Sequence, residues 1–204
     1  MYQIILDPGH GIDTAGKCSP DKKLYEWSNN RELAALVKTY AEFHGFKVVM
    51  TVTDSSDPSL TERAEIANKA ARDFAAEDKN NKSVFISLHS DASKDTGWGK
   101  ARGFSIWTTP GRNKSDVLAD SIWVEVVGIS LLHGFPLRTF TTTEHDFEAN
   151  FTVLQKAKMP AVLIENLFHD NREDLKLLLN KSYLDDIARA IINGVQQYVE
   201  KMNQ

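Results

Sequence analysis

I-I-L-D-P-G-H-G, running from Ile4 to Gly11, is a short apolar run that ends on a histidine between two glycines. The same design returns twice. V-F-I-S-L-H-S-D spans Val84 to Asp91, and A-V-L-I-E-N spans Ala161 to Asn166. Each run is too short for a helix, is rich in β-branched or aromatic residues, and reads as a buried strand. Each ends in a group able to bind a metal or move a proton: His10, His89 and Glu165. Sites in open α/β sheets assemble outside the carboxyl ends of the strands, so groups far apart in sequence would meet at one edge. Glu26, beyond the first strand, is a fourth group of this kind.

Between these runs the pattern changes period. A polar loop follows Gly11 to about residue 28. Leu33, Leu36, Val37 and Tyr40 then recur at helical spacing, which predicts a helix over 30–43 with Gly45 placed to stop it. A strand is expected over 46–52. Ser59 and Glu62 form an S-x-x-E capping box that opens a helix to about residue 76. A charged turn at 78–82 leads into the second apolar run. Beyond it come a loop over 97–103, a strand over 104–108 and a helix over 116–132. A polar, Thr-rich loop follows over 138–150. Two helices, over 172–179 and 183–202, close the chain. Alternating strands and helices predict a single α/β domain over 1–204, with a twisted, mostly parallel sheet flanked by helices on both faces.

The 204 residues suit one domain. A net charge of −4 argues against a general nucleic-acid binder, whose mark is a basic domain. A lone cysteine, Cys18, rules out an intrachain disulfide. No stretch approaches the roughly 20 apolar residues of a membrane span. The opening M-Y-Q-I-I-L-D does not read as a secretory signal.

Two histidines and a carboxylate make a set that zinc accepts in hydrolases, with a fourth place left for water. Bound zinc lowers the pKa of that water toward about 7. A separate carboxylate is then useful for taking its proton and delivering it to a leaving nitrogen. Glu165 is a candidate, because burial at a strand end raises a carboxyl toward the working range. No compact H-E-x-x-H is present, so spacing alone does not single out this set.

Taken in order, the segments resemble the zinc-dependent N-acetylmuramoyl-L-alanine amidases, the amidase-3 type of peptidoglycan hydrolase. The shared features are D-P-G-H-G (Asp7 to Gly11), E-W-S-N-N-R-E-L-A (Glu26 to Ala34), and Leu60, Arg63, Ala67 and Asn68 on one helix. S-L-H-S-D-A (Ser87 to Ala92) and P-A-V-L-I-E (Pro160 to Glu165) complete the set. The resemblance implies that His10, Glu26 and His89 hold Zn2+ and that Glu165 is catalytic. It implies peptidoglycan as the partner, cut at the amide between N-acetylmuramic acid and the L-alanine of the stem peptide. It departs from the family after Glu165, where a Gly-Phe pair is usual. Asn166 and Leu167 stand there, while an aromatic and Asn171 are kept. The arginine frequent after the family's second strand is missing beside Thr51 and Thr53.

Two rival readings use the same residues: a zinc peptidase cutting within cell-wall peptides, and a non-catalytic wall-binding module. The setting expected is a monomeric, phage-type endolysin released to the cell wall, or else an exported enzyme that has been trimmed. Other residues attract notice. Asp7 is expected to orient His10 or else to cap the turn. Arg138 and His169 are candidates for contact with the site. Trp27, Trp98 and Trp107 are candidates for stacking on sugars. His44 and His133 read as helix-end residues, and His145 as part of a solvated loop. Cys18 lacks an activating partner.

Overall fold

In chain order the elements are β1 (Tyr2–Pro8), α1 (Glu26–Phe43), β2 (Lys47–Met50), α2 (Leu60–Glu77), β3 (Lys82–Asp91) and β4 (Ser105–Thr108). They continue with α3 (Lys114–His133), β5 (Phe147–Glu148), α4 (Thr152–Lys156), β6 (Ala161–Phe168), α5 (Arg172–Leu178) and α6 (Lys181–Met202). The computed structural model describes residues 1–94, 96–141 and 144–204. Thr142 and Thr143, inside the stretch expected as a Thr-rich loop, lie outside the described residues.

The sheet runs β2-β1-β3-β6-β4-β5. The three apolar runs are its centre, with β1, β3 and β6 adjacent and parallel. Among the described strand pairs only β4 on β6 is antiparallel, so the expected α/β class with a mostly parallel sheet is what forms. The register sets Asp7 beside Ser87 and His89 beside Glu165. Side chains alternate along a strand. Ile4, Leu6, Val84, Ile86, Leu88, Val162 and Ile164 therefore share the larger core with α1, α3 and α6. Ile5, Phe85 and Leu163 face the other way, onto Ala67 of α2 and Val153 and Leu154 of α4. Helices cover both faces, as expected. Two residues beyond each of these last three lie Asp7, Ser87 and Glu165, and His89 follows Ser87 by two more. The period of 2 thus brings the polar groups onto the smaller-core face at the carboxyl ends of the strands.

Some boundaries differ from the sequence reading. Helix α1 begins at Glu26, not at residue 30. Its first turn is polar yet buried at Glu26, Asn29 and Asn30, so no apolar periodicity marks it. Strand β5 and helix α4 were not expected. One is two residues long and the other five, below the length at which either period can be recognised. The capping box does form, with Ser59 accepting from the Glu62 N–H and Glu62 accepting from the Ser59 N–H.

Helices α3 and α6 cross at Gly194. A Cβ there would lie 2.4 Å from the Ile122 Cα and 2.8 Å from the Ser121 carbonyl oxygen, contacts that only backbone movement could relieve. Gly128 on the outer side of α3 meets open space. Gly194→Ala is expected to destabilise the chain by about 1–3 kcal/mol through overpacking. Gly128→Ala is expected to stabilise it by about 0.5–1 kcal/mol through lost chain entropy. Urea midpoints moving in opposite directions would bear this out; equal shifts would show that the helix crossing is looser than described.

Candidate metal centre

The turn after β1 is where the site begins. His10 has φ 63°, in the left-handed region, which a non-glycine residue occupies only when its surroundings over-determine it. The surroundings are two arginines. Arg63, 1% exposed, donates to the carbonyls of Pro8 at 2.9 Å and His10 at 3.2 Å. Arg31 donates to the same two carbonyls at 2.6 and 2.8 Å. Asp7 balances Arg63 at 2.8 Å and also accepts from Thr51 and Ser87. The expectation that Asp7 orients His10 is corrected: it holds Arg63, which holds the backbone of His10. The glycines on either side permit the fold of the turn. A Cβ on Gly9 would fall 2.1 Å from the His89 ring, and one on Gly11 would fall 2.6 Å from the backbone of Ser56 and Asp57.

Glu26 enters from the first turn of α1 and is 1% exposed. Its Oε1 lies 3.1 Å from His89 Nδ1 and 3.4 Å from His10 Nε2, and it accepts from the Ser90 N–H at 3.1 Å. The two imidazoles meet edge to face at 4.9 Å. One ligand atom from each of His10, Glu26 and His89 falls within 4.8 Å of the others. Glu26 Oε2 is buried without a hydrogen-bond partner. Burial pushes this carboxyl up, but hydrogen bonds and charge from His10 and His89 outweigh it and hold the group below the usual carboxylate range. An ionised carboxylate with an unsatisfied oxygen, flanked by two imidazoles, suits a divalent cation of the zinc type.

Glu165 stands next to His89 in the sheet register, and its Oε2 is also buried and unpartnered. Burial drives its carboxyl up to about 8, with the charges of Glu26 and Asp91 adding to the effect and that of His89 opposing it. A shallow cleft of about 170 Å³ opens over His10, His89, Asp57, Ser59 and Arg63. A larger hollow, about 630 Å³, lies at the amino-terminal ends of the strands around Tyr2, Phe46 and Lys82. It contains none of these groups.

The four sequence candidates therefore come together. Arg138 pairs with Asp91 at 3.2 Å and lies over the Phe168 ring, beside the strand end that carries Glu165. His169 is buried behind Glu26, with Nδ1 3.9 Å from Oε2. The remaining candidates have other partners. His44 meets Gln196, His133 meets Asp186, and His145 meets Asp120 while stacked on Trp123. Trp98 lies under the Arg172 guanidinium and Trp107 stacks on Phe147. Trp27 is partly buried beside Glu26. Arg31 and Ser90 were not singled out in the sequence. Both act through main-chain groups, and the only hint was Arg31's place one turn and a half after Glu26.

Residues 4–197 match the family model described as N-acetylmuramoyl-L-alanine amidase. The chain is 27% identical over 196 residues to the N-acetylmuramoyl-L-alanine amidase CwlM of Bacillus licheniformis, covering 96% of this chain and 68% of that protein. It is 28% identical over 200 residues to a sporulation-specific N-acetylmuramoyl-L-alanine amidase of Bacillus subtilis, covering 97% and 68%. The crystal structure of an N-acetylmuramoyl-L-alanine amidase from Clostridium difficile 630 superposes with a TM-score of 0.80 at 27% identity, covering 98% of this chain and 97% of that one.

The Glu165 carboxyl carries a stability consequence. Its folded pKa of about 8 lies above the ordinary 4.5, so the folded state binds this proton more tightly than the unfolded state does. The stabilisation is full below about pH 4.5 and is lost as pH rises through about 8. In metal-free protein, Glu165→Gln should melt near the wild type at pH 4.5 and several degrees above it at pH 8.5. Melting curves across that range would reveal the widening gap; a constant gap would contradict the burial of the charge.

Proposed function

The chain belongs to the N-acetylmuramoyl-L-alanine amidase family, and from that premise we propose that His10, Glu26 and His89 hold one zinc ion while Glu165 moves the proton of the reaction. The chain is a peptidoglycan hydrolase: it cleaves the amide joining N-acetylmuramic acid to the L-alanine of the stem peptide. Its place of action is the bacterial cell wall. No helix among the described residues is long and apolar enough to cross a membrane.

The observation that carries the residue assignment is the convergence of three ligand atoms within 4.8 Å, one of them from His89, the strand partner of Glu165. When bound, zinc would polarise the scissile carbonyl and make a water more acidic. The chain's own residues do the rest. Glu26, held ionised, offers the charge that balances the cation. Arg63 and Arg31 fix the His10 backbone, so the imidazole is placed before any ligand arrives. Glu165 takes a proton from the attacking water and returns it to the alanine nitrogen as the carbon–nitrogen bond breaks. Its raised pKa suits a group that must first accept and then donate. The neighbouring cation's charge would draw that value down toward neutrality.

Mass spectrometry of products from purified sacculi tests the reading. Stem peptides with a free N-terminal L-alanine, formed by zinc-loaded protein and not after chelation, are the expected result. Glu165→Gln should still bind zinc and turn over about 10²- to 10⁴-fold more slowly. Peptides cut at an internal bond would instead select the peptidase reading. Undiminished turnover by Glu165→Gln would remove that residue from the chemistry.

A further inference from the structure

His169 is a buried imidazole that the reaction does not use. It sits on the turn after β6 and is 1% exposed, and its N–H is tied to the Asp91 carbonyl at 2.9 Å. Its ring nitrogen Nδ1 lies 3.2 Å from the Ser90 carbonyl oxygen and 3.1 Å from Ser90 Oγ. A carbonyl oxygen can only accept, so this pairing puts the hydrogen on Nδ1. The same Ser90 supplies the N–H that holds Glu26 Oε1. The other carboxylate oxygen, Oε2, has no hydrogen-bond partner and faces Nδ1 at 3.9 Å. One side chain thus anchors the residue that fixes Oε1 and stands behind Oε2. An aliphatic side chain would fill this space without the cost of burying a polar ring, so the nitrogen has a use beyond packing.

We propose that His169 is a positioning residue for Glu26: its Nδ1, through Ser90 and by facing Oε2, sets the orientation of the carboxylate and with it the affinity of the site for zinc. The proposal rests on the assignment of His10, Glu26 and His89 as the ligands. Groups that orient a ligand without touching the metal are worth about 10- to 100-fold in metal affinity. Asn at this position would place an amide nitrogen near Nδ1, whereas Gln would carry it out toward the position of Nε2. His169→Leu would leave no nitrogen.

The test is zinc affinity of the metal-stripped chain, read by competition with a chromophoric chelator. The visible spectrum of the Co2+-loaded protein and the metal-free melting temperature are recorded alongside. His169→Leu and His169→Gln are expected to weaken zinc binding by about 10- to 100-fold and to shift the Co2+ bands. His169→Asn is expected to return both toward the wild type, whatever its melting temperature. Wild-type affinity in the Leu variant, or equal weakening in Asn and Gln, overturns the proposal. Should the Leu variant fail to fold, the contrast between Asn and Gln decides alone. Failure of the ligand assignment looks different: the wild type itself would bind no zinc, or His10→Ala would bind it unchanged.

Discussion

Two guanidinium groups close on the carbonyls of Pro8 and His10, and the site follows from that grip. Arg63 reaches them from α2 and Arg31 from α1, so helices on opposite faces of the sheet meet at one turn. A buried arginine is costly unless its donors are met, and an unpaired buried charge costs several kcal/mol. Here Asp7, Asp57 and the main-chain carbonyls of Pro58, Pro8 and His10 supply acceptors to Arg63. The grip holds His10 in its left-handed conformation. Gly9 then lets the His89 ring lie against the main chain, where any side chain would collide.

The two faces of the sheet divide the work. The larger core, spread over α1, α3 and α6, stabilises the fold. The smaller core under α2 and α4 runs out after one layer, and the next positions along β1, β3 and β6 are Asp7, Ser87, His89 and Glu165. Asp7 and Ser87 are fully buried there, His89 and Glu165 only partly, and the Oε2 atoms of Glu26 and Glu165 remain unsatisfied. Such groups lower stability without a ligand, a cost characteristic of sites prepared for one. The opposite displacement of the two carboxyls, Glu26 downward and Glu165 upward, sets a carboxylate that stays ionised beside one that titrates near neutral pH.

His10, His89 and Glu165 were legible because strands in an α/β sheet announce themselves by their apolar runs, and their ends can be read directly. Glu26 was legible as a candidate group, but its role as a ligand came only through the resemblance and its place on a helix was missed, since a helix whose first turn is polar and buried has no periodic stripe. The antiparallel placement of β4 and the short β5 and α4 were not legible, because pairing direction leaves no local mark and brief elements show no period. Arg31 and Ser90 act through main-chain atoms, and no residue pattern encodes those contacts; His169 was legible as a candidate because it lies four residues after Glu165, but its link to Glu26 through Ser90 was not. Leu167 is instructive. It stands where a glycine-containing pair was the usual pattern and takes φ 64°, a conformation that costs a side-chain-bearing residue about 1–2 kcal/mol. Its full burial in the larger core offsets that cost, so the departure in sequence leaves the bulged end of β6 after Glu165 standing.

Anomalous diffraction at the zinc absorption edge, from crystals grown with zinc, would test the central claim most directly. The account predicts one zinc ion ligated by His10, Glu26 and His89 at about 2.0–2.2 Å, with its open coordination position toward Glu165. A zinc ion bound elsewhere, or a centre in which Glu26 is replaced by Glu165 as a ligand, would contradict it.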